Sequence, residues 1–126
     1  MRKEIVKTKR APEAIGPYSQ ATKAKGIACI SGQLPINPKT GEMGESLEEQ
    51  VHQSIENVIA LAEEAGGQKE SIIKCGIFIK DMSKFAAIND IYQGYFPTDA
   101  PARFVVEVSQ LPKGAQIEID AVVAVD

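Results

Sequence analysis

Apolar positions along the chain follow two periods, and the change from one to the other marks out the elements. From Leu47 onward, Leu47, Val51, Ile55, Val58, Ile59 and Ala62 keep helical spacing. Ser46-Leu47-Glu48-Glu49 in front of them has the form of a capping box, in which the hydroxyl and the carboxylate satisfy each other's backbone donors. Gly66-Gly67 supplies the C-terminal stop. One apolar stripe and one charged face predict a helix lying on something flat. A second helix is predicted from Ser83 to Phe96, with Phe85, Ile88, Ile91, Tyr92 and Tyr95 on or near one face and Pro97 ending it.

Elsewhere the period falls to two. Ile5–Thr8 reads as a short edge strand closed off by Ala11-Pro12, and Ile15-Gly16-Pro17-Tyr18 is turn chemistry. Ser19–Lys25 and Ile27–Gln33 form a hairpin pattern around Gly26, and Pro35–Gly44 is a loop by composition. Ile72–Lys80, Arg103–Ser109 and Gln116–Val125 complete the set of strands. The order β-β-β-α-β-α-β-β predicts one α+β domain over residues 1–126: a mixed sheet with two helices on one face.

Alternation assigns Ile73, Cys75, Ile77 and Ile79 to one face of their strand, with Ile72 and Phe78 on the other. In the last strand Ile117, Ile119, Ala121, Val123 and Val125 oppose Val122 and Ala124. Two helices cover one face of such a sheet, and the other would leave an apolar patch that monomers rarely tolerate. Copies of the chain are therefore expected to bury it against one another.

Composition narrows the class. Hydrophobic residues make up 44% and charged residues 25% of the 126, as in ordinary globular domains. The balance of 14 basic to 17 acidic residues favours neither a phosphate backbone nor an anionic membrane. The basic run Arg2, Lys3, Lys7, Lys9 and Arg10 is read as a solvated edge. Cys29 and Cys75, each in an apolar stretch, are read as small buried hydrophobes, and neither has a partner at metal-ligand spacing. With neither a signal-peptide pattern nor a membrane-length apolar run, the expected location is the cytoplasm. Walker, dinucleotide, G-x-S-x-G and H-E-x-x-H signatures are all absent, and His52 alone offers a metal no second imidazole.

A few polar residues stand where the apolar pattern does not need them. Arg103 opens a strand that is otherwise Phe104, Val105, Val106 and Val108, and shares its side with Val105 and Glu107. A guanidinium among apolar neighbours suits a two-pronged grip on a carboxylate, and an internal ion pair with Glu107 or Glu118 is the competing reading. Glu118 could hold or activate a water, or be an edge-strand residue facing solvent. Tyr18 follows a Gly-Pro turn and offers either a phenol or plain packing. Ser31-Gly32 ends a strand, and Asn89 interrupts an apolar run in the second helix.

These positions sit within a longer series: Ala11-Pro12, Ile15 to Gln20, Ser31 to Pro35, Asn37 to Glu42, Phe78 to Met82, Asn89 with Tyr92, Pro101-Ala102-Arg103, Glu107-Val108, Leu111-Pro112-Lys113 and Ile117-Glu118-Ile119. Collinear over nearly the whole chain, they resemble the Rid family of reactive intermediate/imine deaminases, formerly the YjgF group. The resemblance implies a chorismate-mutase-like α+β fold (bacillus type) assembled as a homotrimer with sites between subunits. It implies hydrolysis of 2-aminoacrylate or 2-aminocrotonate, as enamine or imine, to a 2-keto acid and ammonia, without metal or organic cofactor. It gives Arg103 the substrate carboxylate, Glu118 the hydrolytic water with Tyr18 sharing the proton transfer, and Tyr18, Ser31, Gly32 and Asn89 the cleft, with Phe104 and Val105 counted among the substrate-binding residues. Where the archetypal deaminases carry a small residue and then a cysteine, this chain has Phe104 and Val105, which keeps the main chain and removes the thiol. The alternatives from other classes are a non-catalytic trimer that binds 2-keto acids for regulation and an endoribonuclease or translation inhibitor. The acidic balance and the lack of an aromatic stacking face argue against nucleic acid.

Overall fold

The computed structural model describes residues 2–126. Its strands are Glu4–Val6 (β1), Ala21–Ala24 (β2), Ile27–Gln33 (β3), Ile72–Ile79 (β4), Ala102–Glu107 (β5) and Ile117–Ala124 (β6), and its helices are Leu47–Glu64 (α1) and Phe85–Tyr95 (α2). The element order is the one the periodicity predicts. Boundaries differ by one or two residues, and at α2 the predicted first turn is a 3₁₀ turn over Met82–Lys84.

Local chemistry explains the joints. Lys25 and Gly26 have φ of 50° and 80° between the paired residues Ala24 and Ile27, the two-residue hairpin turn whose twist suits adjoining strands. Ser46 and Glu49 form the complete capping box at the start of α1. At its end Gly67 N–H donates to the Ala62 carbonyl at 2.9 Å and Gly66 N–H to Glu63 at 3.0 Å, with Gly66 at φ 104°. The last turn of α1 holds no basic residue. Lys23 Nζ instead reaches the Ala65 carbonyl at 2.9 Å, and Arg10 reaches the Ala60 carbonyl at 3.3 Å and Glu63 at 2.9 Å. Two cations from the N-terminal strands and loop thus answer the negative end of the helix. Part of the basic run is an anchor, not a solvated edge.

The strands form a six-stranded sheet in the order β1-β2-β3-β6-β4-β5. Every pair is antiparallel except β4 with β5, which α2 joins as a crossover. β6, the last strand of the chain, lies in the middle. Its inward residues Ile117, Ile119, Ala121 and Val123 meet Ile77, Ile79, Val51, Val58 and Leu61 in one core between sheet and helices. Three polar side chains of α1, two of them buried, bind it to the surrounding loops and strands. Asn57 donates to the Leu34 and Ile36 carbonyls, Gln53 to Asn57, Gln50 to the Gly44 carbonyl, and the Gln116 N–H to Gln50.

Two one-residue insertions break the period of two. On β4, Ile72 pairs with Val123 but Lys74 with Val122, so Ile73 is extra. Ile72 is therefore buried and Ile73 is 45% exposed, the reverse of the faces that simple alternation assigns. On β3, Ile30 pairs with Ala121 and Gln33 with Ile119, which places a bulge at Ser31-Gly32.

The face away from the helices carries Ile27, Cys29, Phe78, Phe104, Val106 and Val122. Phe104 is 37% and Val106 40% exposed in the single chain. Cys75 is buried as expected, but Cys29 is exposed, because ahead of the bulge the odd-numbered positions of β3 point to this uncovered face. No helix among the described residues is long and apolar enough to cross a membrane.

Candidate active site

The residues singled out above fall into two groups on opposite sides of the sheet. The first surrounds Arg103. β5 is an outer strand, and its residue 103 pairs with Cys75, so both side chains point to the helix side. There α2 presents Phe85, Asn89 and Tyr92 on one face, at helical spacings of four and three. Asn89 Oδ1 accepts from Arg103 Nη2 at 2.7 Å. The guanidinium carbon lies 4.8 Å from the centre of the Tyr92 ring and 5.6 Å from that of Phe85.

Arg103 is half-buried, and among the described residues no carboxylate oxygen comes within 4.0 Å of it. The internal ion pair with Glu107 or Glu118 does not form. Glu107 turns instead to the Met82 N–H at 2.7 Å, at the entry to α2. Asn89 takes one of the five N–H donors of the guanidinium and leaves the others to a guest. Burial pushes the Cys75 thiol and the Tyr92 hydroxyl up from their ordinary ranges. Both are thus neutral at pH 7 and do not cancel the arginine's charge.

The second group gathers at the bulged end of β3. Ser31 Oγ donates to the Ser19 carbonyl at 2.6 Å, and Ser31 N–H donates to the Gln20 carbonyl at 2.9 Å, which ties the Tyr18 loop to the strand. Tyr18 is 54% exposed, so it is not a packing tyrosine. Its hydroxyl lies 3.4 Å from the Ile15 N–H, and its own N–H closes on the Gly16 carbonyl at 2.9 Å. Gln20 fastens the same loop from inside, accepting from Thr8 N–H and donating to the Thr8, Ala11 and Pro12 carbonyls.

Glu118 lies over Gly32. A Cβ on residue 32 would come within 2.6 Å of Glu118 Oε2, so this carboxylate position requires a glycine below it. Glu118 belongs to a central strand and is half-buried, not an edge residue open to solvent. Burial, reinforced by the nearby Asp120 charge, raises its carboxyl above the ordinary carboxylate range. Asp120 accepts from the Gly76 N–H at 2.9 Å.

Phe104 and Val105 separate. Val105 lies on the side of Arg103 and packs against the core. Phe104 lies on the uncovered face, edge-on to Phe78 with centroids 5.4 Å apart and beneath Lys74 Nζ. Phe104 therefore does not line a pocket around the Arg103 of its own chain, as the alternation along the strand implies, although the resemblance counts both among the substrate-binding residues. An open cleft of about 1050 Å³ between β1 and the Ala11–Gln20 loop takes in Tyr18 and Ser19, but neither Arg103 nor Glu118. His52, a lone imidazole, bonds Tyr95 Oη at 2.8 Å, and that hydroxyl donates to Glu56 at 2.8 Å. No cluster of metal-ligating side chains occurs among the described residues.

Sequence reasoning missed Tyr92 and Phe85 as neighbours of Arg103. The available signal was their helical spacing with Asn89, just before the strand that carries the arginine.

With half-buried Arg103 on one side of the sheet and Glu118, of raised proton affinity, on the other, comparison of the whole chain with known proteins identifies its family. The family model described as endoribonuclease L-PSP matches residues 8–125. A RutC family protein of Pyrococcus horikoshii is 47% identical over 121 residues, covering 95% of this chain and 96% of that one. The chloroplastic Reactive Intermediate Deaminase A of Arabidopsis thaliana is 40% identical over 123 residues, 97% of this chain and 66% of that one. Among solved structures, a Rid family protein of Yersinia pestis, YyfA, superposes with a TM-score of 0.95 at 48% identity, covering 98% of this chain and 100% of that one. E. coli TdcF with bound serine gives 0.94 at 39% identity, with 98% and 99% covered. The chain belongs to this endoribonuclease L-PSP family, the Rid/YjgF/RutC group.

Proposed function

We propose that this protein hydrolyses reactive 2-imines and 2-enamines of amino-acid origin, 2-aminoacrylate and 2-aminocrotonate, to 2-keto acids and ammonia. The observation that carries the reading is Arg103: a half-buried guanidinium aimed by Asn89, with no carboxylate oxygen within 4.0 Å among the described residues. Such a group is suited to a small anionic guest. The names of relatives lend support, since one is a reactive intermediate deaminase and another was crystallised with serine, an amino-acid carboxylate.

In this reading the enamine tautomerises to the imine, and Arg103 fixes the carboxylate so that C2 meets a water held at Glu118. The water oxygen bonds to C2 as the C=N π pair moves onto nitrogen, which takes a proton. The tetrahedral aminoalcohol then expels ammonia after a second proton reaches nitrogen, and loss of the hydroxyl proton leaves the keto group. Glu118, whose raised affinity keeps a proton within reach, carries protons between water and nitrogen, and Tyr18 assists at the open side. Ser31, Gly32 and Asn89 shape the cleft. The imine carbon is already electrophilic, so the chemistry calls for no cofactor.

Arg103 and Glu118 face opposite ways in one chain, so the complete site is built from two. Copies pack on the face of Ile27, Phe78, Phe104 and Val106 as a homotrimer of chorismate-mutase-like domains, with the sites in the clefts between them. Phe104 and Val105, where other deaminases have a small residue and a cysteine, leave the main chain to do that segment's work.

Addition of the protein to a serine dehydratase reaction tests the proposal. Release of pyruvate and ammonia from the free enamine should accelerate, and Arg103→Ala should remove about 10²-fold or more of the gain. Arg103-dependent binding of 2-oxobutyrate with no acceleration would mean a non-catalytic keto-acid-binding trimer instead.

A further inference from the structure

We infer that Tyr92 is a positioning residue for Arg103, and that its ring, not its hydroxyl, aims the guanidinium, with Phe85 as a second, partly open wall. The inference deepens the proposed function, because it concerns how the same carboxylate grip is held.

Arg103 is the residue of an outer strand most in need of restraint. On one side β5 has β4, and on the other it has no strand among the described residues. A single hydrogen bond to Asn89 fixes Nη2 but leaves the guanidinium free to turn about that contact. The aromatic rings remove this freedom. Tyr92 is only 5% exposed and stands 4.8 Å from the guanidinium carbon, while Phe85, 36% exposed, stands 5.6 Å away at the open edge. A cation over a ring face is attracted by the ring's quadrupole, more strongly where water is excluded.

The hydroxyl of Tyr92 does not share in this. It is buried without a hydrogen-bond partner among the described residues, and the neighbouring Cys75 thiol is a weak substitute. Orphaned buried hydroxyls cost stability. What the residue offers the site is therefore its π face. Tyr92 also touches Phe96, centroids 4.8 Å apart, so the ring itself is held from behind.

NMR of arginine-labelled protein reads the guanidinium directly, without any ligand. The Arg103 Nε–H signal, assigned by its loss in Arg103→Lys, should show an aromatic ring-current shift and slowed side-chain rotation. Tyr92→Phe should keep both, and Tyr92→Leu should lose both. Phe85→Leu, at a position open enough to spare the fold, should reduce them in part. For 2-oxobutyrate, Tyr92→Leu should weaken binding about 3- to 30-fold and Tyr92→Phe by no more than about 2-fold. KM for the imine should rise more than kcat falls. An Arg103 signal unmoved by Tyr92→Leu and Phe85→Leu would overturn the inference, as would Tyr92→Phe moving it as far as Tyr92→Leu. A protein without imine hydrolysis would defeat the proposed function alone, since the resonance is read without turnover.

Discussion

Arg103 and Glu118 stand on opposite faces of one sheet with strand β4 between their own strands: Arg103 pairs with Cys75, Glu118 with Phe78, and those two partners point opposite ways. Two strand spacings alone are about 10 Å, and the side chains then diverge through the sheet. A three- or four-carbon acid cannot touch both groups of the same chain.

Complementation follows from this separation. Arg103→Ala and Glu118→Gln should each be inactive, yet co-expressed chains should regain activity. With random mixing, any interface in a closed ring has about a one-in-four chance of receiving both intact groups, so about a quarter of wild-type activity is expected. Hydrolysis assayed on the purified mixed oligomer decides the matter. Activity no greater than that of the single variants would overturn a shared site that uses both groups.

Glu118 also predicts a trade between stability and chemistry. Its folded carboxyl is raised above the unfolded value, so folding takes up protons, and the favourable contribution is complete below the unfolded pKa of about 4.5 and lost as pH rises through the folded value. At neutral pH the charged group is thus a burden, which Glu118→Gln removes. Melting should rise by a few degrees at most at pH 7 to 8, since half-exposure screens the effect to under ~1 kcal/mol. The gain should vanish below about pH 4.5 while activity stays lost. A variant that melts lower at pH 7 would contradict the assignment.

Gly32→Ala probes the same carboxylate from beneath. The added methyl would meet Glu118 Oε2 at 2.6 Å and displace it, while the exposed bulge itself tolerates the change. A fall in kcat of about 10-fold or more with KM little altered is expected, because the acid–base group moves and the arginine grip does not. Steady-state kinetics on the variant provide the check, and an unchanged kcat would remove Glu118 from the chemistry.

Gln20→Leu should loosen the Tyr18 loop and the fold together. Four hydrogen bonds end on this one buried amide, and leucine would leave one N–H and three carbonyls without it. A loss of about 2–4 kcal/mol is expected, with faster amide exchange confined to residues 8–19 at low denaturant. Denaturation with hydrogen exchange measures both.

Most of the fold was legible in the chain because its signals are local: the capping box at Ser46 and Glu49, the Gly66-Gly67 stop, the Gly26 turn, and the alternation along β6. What local signals could not carry was the count across a bulge. Ile73 is inserted into β4 by its pairing with β6, some fifty residues on, and a period-two reading therefore exchanged it with Ile72. At Phe104 the alternation along β5 held: the ring lies through the sheet from Arg103, so counting the two together as substrate-binding residues does not describe one pocket of a single chain. Arg103, Glu118 and Asn89 stood out because polar groups in apolar strands and helices need a reason. Their partners Tyr92 and Phe85 did not, because an aromatic on a helix face is indistinguishable from core until the strand it covers is known.

Regular alternation ahead of the Ser31-Gly32 bulge leaves Cys29 of β3 on the uncovered face, whereas Cys75 is enclosed beneath α2. One sulfur in each chain is thus a natural gauge of assembly. Dissociated chains should take up one equivalent of a thiol-alkylating reagent quickly, and the associated form should resist it. On the proposed packing the protein carries its own footprinting label, and dilution with timed alkylation would report whether copies associate and how tightly, without any engineered tag.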